Sequence, residues 1–530
     1  MHKSAVSFFL AVLIVALPAG TLHARNADKS GTQAAAPARV SPQAVKTSGS
    51  VTVDGERIDY DAVAGTLILH EGGDQTAAPT VSMFYTAYFK QDAKAGQRPV
   101  MFIYNGGPGS ATMWLHMGAF GPRRVITADH THTPAAPYEV VNNAYSLLDA
   151  ADLVFIDAPG AGFSRLLAVA DDPTERAALM KKHEKEIYSL DGDARAFAQF
   201  IRQFLSRYKR WNSPKYLFGE SYGTPRSAVL ADILQSRDKI DLNGVVMLSQ
   251  ILAYDFSIDG VERHPGVDQA YFLALPSFAA VAWYHHKLPS RPAKLEPFLK
   301  KVEAFALGPY ASALVQGAKL DPATKQAVAE KLHQFTGLPV AYILKANLRI
   351  NGGMFRHELL SDAGEVTGRL GSQFKGPAMD PMGKSARYDP QGAAISSAYV
   401  SAFNKYVRGT LGFGESRHYR LHADIDRWRI DRVSRRHNRH GDTLNVIGDL
   451  AHAMTMNPNL KVQVHGGYFD TGTPYFAAEY EMAHLPIPAA LQENISYHWY
   501  QSGHMIYSHE EALKKLHENV ARFIEQTDNI

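Results

Sequence analysis

Four apolar runs in this chain stop abruptly in glycine-bearing turns: PVMFIYNGGPGS (99–110), ADLVFIDAPGAGFS (151–164), KYLFGESYG (215–223) and LKVQVHGG (460–467). A further run, GVVMLSQILAYDF (244–256), reads as another buried strand. Runs this short and continuously apolar suit strands covered on both faces. Helical patterns lie between them, at DGDARAFAQFIRQFLSR (191–207), at TPRSAVLADILQSR (224–237) and in the stretch that precedes the last run. Strand, turn, helix and strand in that order predict a mostly parallel sheet with helices on both faces. VTVDGERIDYDAVAGTLILHE (51–71) and TVSMFYTAYFK (80–90) instead predict antiparallel strands ahead of it.

From about 257 to 430 the pattern becomes helical, as in HPGVDQAYFLALPSFAAVAWYHHK, KLEPFLKKVEAFALGPYASALVQ and LDPATKQAVAEKLHQFTG. The last has Asp321 placed to cap, Pro322 in the first turn and Gly337 at the stop. Residues 368–390 carry too many turn formers for regular structure and predict an ordered surface loop. Near the C-terminus, Ser508 with Glu511 three residues on has the spacing of a capping box for a terminal helix. A chain of 530 residues can hold such a core and a second, helical part. The expected division is a leader at 1–24, a flexible arm at 25–49, core at 50–256, a largely helical cap at 257–430 and core again at 431–530.

The leader reading rests on one lysine, an apolar run of about 13 residues from Ala5 to Leu17, and a cleavage site after Ala24. The run is short of the roughly 20 residues that cross a bilayer as a helix, so a signal peptide is expected, with the mature chain periplasmic or secreted and free of a stable membrane span. The arm lacks aromatic residues and is rich in Ala, Pro and Ser. Basic and acidic residues nearly balance, 55 against 52, which gives no footprint for nucleic acid. Cysteine is absent, which excludes disulfides, thiol catalysis and thiolate metal sites.

GESYG (219–223) fits the G-x-S-x-G pattern, and alone that is a weak signal in a chain with 41 glycines. Its position between a strand and a helix gives it weight, because that turn lifts the Ser221 hydroxyl above the sheet beside a helix N-terminus. A serine in a plain turn is the simpler alternative. Ligands gather at strand C-termini in such sheets, so an acid and a base are sought after the later strands. Asp470 follows LKVQVHGGYF, with Asp449 as competitor; His504 sits in the loop SGHM, with His465, His498 and His509 as competitors. Ser221, Asp470, His504 is the chain order of an α/β-hydrolase triad. The NGGPG turn (105–109) offers backbone donors at close range, which makes the N–H groups of Gly107 and Tyr222 candidates for an oxyanion hole. Glu220, beside the serine, would oppose an oxyanion if charged; protonated, it could donate to a substrate carboxylate, with the Asn105 amide as a second donor.

At these residues the chain resembles the serine carboxypeptidase family, in a bacterial branch without cysteine. The likeness is carried by FIYNGGPGSA (102–111), DAPGAGFS (157–164), GESYG (219–223), VHGGYFDTGTP (464–474) and SGHM (502–505), in family order. The resemblance implies an α/β-hydrolase fold with a largely helical cap and a Ser221–Asp470–His504 triad. It also implies an oxyanion hole from Gly107 and Tyr222, and a grip on the terminal carboxylate of a peptide by Asn105 and Glu220. The implied reaction removes C-terminal residues from peptides through an acyl-enzyme, is favoured in acid, and needs neither metal nor organic cofactor. Two positions depart from the family. Ala119 stands where familiar members often carry a second glutamate, so Glu220 is expected to titrate closer to an ordinary glutamate; Ser110 stands where many have cysteine. An esterase or acyltransferase using the same triad on small acyl substrates is the alternative.

Overall fold

A computed structural model describes residues 41–430 and 443–530. The leader and most of the expected arm lie outside these residues. In chain order the strands are β1 (Ala44–Val53), β2 (Glu56–His70), β3 (Pro79–Lys90), β4 (Val100–Tyr104), β5 (Arg123–Val125), β6 (Val140–Asn142), β7 (Asp152–Ile156), β8 (Arg165–Leu166), β9 (Lys215–Glu220), β10 (Gly244–Leu248), β11 (Glu365–Thr367), β12 (Lys375–Pro377), β13 (Lys461–Gly467) and β14 (Ile495–Tyr500). Ten of them form one sheet in the order β1-β2-β3-β7-β4-β9-β10-β13-β14, with β8 on β3. From β7 to β14 every neighbour is parallel, and β1, β2 and β3 add an antiparallel flank. This is an α/β-hydrolase fold, a mostly parallel sheet flanked by helices and carrying a helical insertion.

The parallel strands are buried along their whole length at β4, β7 and β10, as their apolar runs require, and Asp152 at the head of β7 is paired with Arg98 and Arg210. Helices cover them by amphipathic faces. Leu190–Arg207 is capped by Ser189, whose side chain accepts from the Gly192 N–H, and buries Phe197, Phe200, Ile201 and Phe204. Most of the insertion has its own apolar core, built from Leu273, Phe278, Leu299, Val302, Leu332 and Phe355 among others. Its Pro322–Thr336 helix is capped by Asp321 and stopped by Gly337 at φ 72°, as the sequence pattern predicts.

Four expectations change. Residues 44–49 are strand rather than arm, because β1 pairs with β2 from Ala44 opposite Gly65 to Val53 opposite Glu56. An edge strand needs backbone partners more than apolar area, which composition does not register. The 244–256 run ends as a strand at Leu248, where Ser249 turns at φ 52°. The cap of the terminal helix (Glu510–Thr527) is His509, whose ring accepts from the Ala512 N–H, while Ser508 is buried and accepts from Gln391. Finally, helix Pro390–Gly409 packs Ile395, Tyr399, Phe403 and Val407 into the core of the sheet, so the separately packed part of the insertion ends before it.

Candidate active site

The parallel topology brings four strand ends side by side. Ser221 follows β9, Ser249 follows β10, Asp470 lies just past β13 and His504 just past β14. Backbone and side-chain bonds link them: the Ser221 N–H donates to Leu248 O at 2.9 Å, and the Ser249 hydroxyl donates to His504 O at 2.7 Å.

Ser221 holds a left-handed backbone, φ 59°, on the turn into helix Gly223–Asp232. For a residue with a Cβ that conformation costs on the order of 1–2 kcal/mol and persists only where the surroundings enforce it. The flanking glycine shows how tight the turn is: a Cβ on Gly219 would lie 2.3 Å from Gly223 O.

Asp470 is fully buried, and its charge is met on every side. Oδ1 accepts from the N–H groups of Gly472 at 2.8 Å and Thr473 at 3.0 Å; Oδ2 accepts from the Thr473 hydroxyl at 2.6 Å and lies 2.6 Å from His504 Nδ1. A carboxylate there fixes the proton on Nδ1 and leaves Nε2 as the lone-pair nitrogen. Burial works against the charged ring, but the attraction of Asp470, assisted by Glu220, outweighs it and leaves the His504 pKa above the ordinary histidine value. The backbone of His504 is also tied, its N–H donating to Leu370 O at 2.5 Å.

The competing residues have other work. His465 lies within β13 between Tyr500 Oη and Gln463 Oε1, His498 meets Gln463, and His509 caps the terminal helix. Asp449 is in the first turn of helix Ile447–Met456. Asp470 is the carboxylate that meets His504.

The turn after β4 lies against the start of the helix that follows Ser221. A Cβ on Gly106 would sit 2.4 Å from Tyr222 N, so only glycine allows this approach, and Gly107 next to it has φ 108°. Gly107 and Tyr222 thus belong to two backbone segments in contact. Asn105 and Glu220 also meet, with Asn105 Nδ2 donating to Glu220 Oε2 at 2.9 Å.

Tyr507 is the residue that sequence reasoning missed. Its hydroxyl donates to the same Glu220 Oε2 at 2.8 Å, and its pKa is pushed well above the ordinary phenol value by burial and by the charge of Glu220, so it remains a donor. Its position three residues beyond His504 in the sequence was the available signal. The expectation that Glu220 titrates like an ordinary glutamate is also overturned. Glu220 is 4% exposed, and burial pushes its pKa up to about 7 despite the opposing effects of His504, Tyr507 and Asn105. Desolvation achieves without a second acid what a shared proton would otherwise do. The segment with Ala119 is filled by aromatic side chains: a Cβ on neighbouring Gly118 would lie 2.6 Å from both Tyr399 Oη and Tyr507 Cδ2.

Residues 70–285 match the serine carboxypeptidase family model, a stretch that holds Asn105, Gly107, Glu220, Ser221 and Tyr222. Over those residues the chain is similar to that family. It is a serine hydrolase of the α/β-hydrolase superfamily, and its buried Asp470–His504 pair lies beyond the matched stretch. No curated protein matches the sequence. Among solved structures, the chain is similar to proline iminopeptidase of Mycobacterium smegmatis at 14% identity and TM-score 0.34, with 87% of this chain and 98% of that one covered. It is also similar to a thermophilic esterase from Thermogutta terrifontis at 9% identity and TM-score 0.29, covering 91% and 100%. A third is juvenile hormone epoxide hydrolase from the silkworm Bombyx mori, at 10% identity and TM-score 0.32, covering 88% and 79%.

Proposed function

We propose that this protein is a serine carboxypeptidase, which cleaves the last peptide bond of a peptide with a free C-terminus through an acyl-enzyme on Ser221. The observation that carries the reading is the buried Glu220 next to the serine, protonatable near neutrality and held by Asn105 and Tyr507. An anionic carboxylate there would repel both an oxyanion and a substrate carboxylate; a neutral carboxyl donates to the latter.

In this reading His504 Nε2 takes the proton from Ser221 as its oxygen attacks the scissile carbonyl, and Asp470 steadies the imidazolium. The N–H groups of Gly107 and Tyr222 receive the oxyanion. His504 then protonates the leaving amino acid, and water activated by the same ring releases the shortened peptide. The productive form carries its proton on Glu220 while His504 is neutral. Activity then needs His504, whose pKa lies above the ordinary histidine value, to lose its proton and Glu220, at about 7, to keep its own, so the pH–rate profile is a bell. The proposal includes export to the periplasm or beyond, on the apolar leader at Ala5–Leu17. Among the described residues no helix is long and apolar enough to cross a membrane.

The test is a pair of N-blocked dipeptides that differ only at the terminus. The free acid is expected to be cleaved far faster than the amide. Equal rates, or action on esters alone, reject carboxypeptidase chemistry in favour of an esterase or acyltransferase.

A further inference from the structure

Arg226, four residues into the helix that follows Tyr222, is fully buried, and it is held by an equally buried acid on a neighbouring helix. Its Nε donates to Asp193 Oδ2 at 2.6 Å and its Nη2 to Asp193 Oδ1 at 3.3 Å, while Nη1 donates to Asn105 O at 2.8 Å. The guanidinium carbon lies 4.3 Å from the centre of the Phe197 ring, 5.3 Å from that of Tyr104 and 5.4 Å from that of Tyr222. One planar cation therefore touches the end of β4, the residue that opens the glycine turn, the first residue after Ser221, and the helix behind both.

We propose that the Arg226–Asp193 pair is a positioning device, which sets the distance between the Gly106–Gly107 turn and the Tyr222 N–H so that the two backbone donors converge on one oxygen. The inference rests on the reading of Ser221 as nucleophile. Its physical basis is that a buried ion pair contributes little net stability compared with well-packed apolar groups, so geometry is the stronger reason to retain one. The fork shape matters in particular: two arms of the guanidinium engage Asp193, which leaves the third aimed at a carbonyl in a fixed direction. An ammonium has no fork to hold both partners in that arrangement. The Asn105 carbonyl precedes Gly106, where a shift of a few tenths of an ångström changes the approach to Tyr222 N, and electrostatic catalysis depends on donors fixed before the charge develops.

Two variants test this, each assayed by turnover of a p-nitrophenyl ester that the Ser221→Ala protein cannot hydrolyse. The double variant Arg226→Met with Asp193→Leu removes the pair and leaves no buried charge unpaired. It is expected to keep its thermal midpoint within a few degrees and KM within about threefold, while kcat falls about 100-fold, the scale of losing one oxyanion donor. Phosphonylation of Ser221 by a fluorophosphonate should slow by a similar factor, since the phosphoryl oxygen occupies the same place. Arg226→Lys keeps the charge but loses the fork, and should lose at least about tenfold in kcat at unchanged KM. If the double variant does not fold, the lysine variant decides. Turnover and labelling within about threefold of wild type in the folded variants overturn the proposal. Ester hydrolysis that survives Ser221→Ala instead overturns the nucleophile reading on which it stands.

Discussion

Replacing Glu220 by glutamine isolates the proton that the account depends on. The amide can keep its oxygen where Oε2 accepts from Asn105 and Tyr507, so the change removes a titration and little else. The folded pKa is about 7 against an ordinary 4.5. For an acid whose folded value is raised, the associated stability is fully present below the unfolded value and is lost as pH rises through the folded one. At 1.36 kcal/mol per unit the full loss is ~3 kcal/mol, and between pH 5 and pH 8 it amounts to roughly 2 kcal/mol. Glu220→Gln should therefore gain about that much on wild type when urea unfolding at pH 8 is compared with pH 5. The same variant has no proton to lose above pH 7. Its kcat/KM for a free-acid dipeptide should keep the acid limb set by His504 and lose the alkaline limb. A stability difference that does not change with pH, together with an unchanged alkaline limb, would refute the claim that burial holds Glu220 neutral.

Other changes follow from the same geometry. Tyr507→Phe removes a donor to the Glu220 anion, so the alkaline limb should move to higher pH, measured as kcat/KM against pH. Gly106→Ala places a methyl group 2.4 Å from Tyr222 N; kcat should fall by at least about 100-fold with a smaller change in KM. Asp470→Asn removes the charge that holds the His504 tautomer, and kcat should drop roughly 10⁴-fold while circular dichroism stays that of the wild type. Thr473→Val removes one of the bonds that orient Asp470, and a kcat loss nearer tenfold is expected from steady-state kinetics.

Much of this was legible from the order of residues because parallel sheets convert chain order into position. Apolar runs that stop at glycine mark strand ends, which made Ser221, Asp470 and His504 candidates, while Asp449, His465, His498 and His509 stayed as competitors until the family resemblance was added. Asp321 with Gly337 was legible for a different reason, since helix caps are local. What stayed hidden depends on contacts across long separations. Whether Glu220 is neutral is decided by how completely its surroundings exclude water, and no pattern of nearby residues reports that. Tyr507 and Arg226 lie beside recognised motifs, yet their roles come from partners at Glu220 and at Asp193 with Asn105. β1 was misread because its short polar side chains resemble a tail, whereas its order comes from the backbone of β2.

In the proposed mechanism Ser221 becomes reactive only where a ring oriented by Asp470 can take its proton. Mass spectrometry of the protein after brief exposure to a fluorophosphonate tests this directly. One adduct is expected, on the peptide bearing Ser221, forming at least about 100-fold more slowly in His504→Ala. An adduct on another residue, or one on Ser221 that forms equally fast without the histidine, contradicts it.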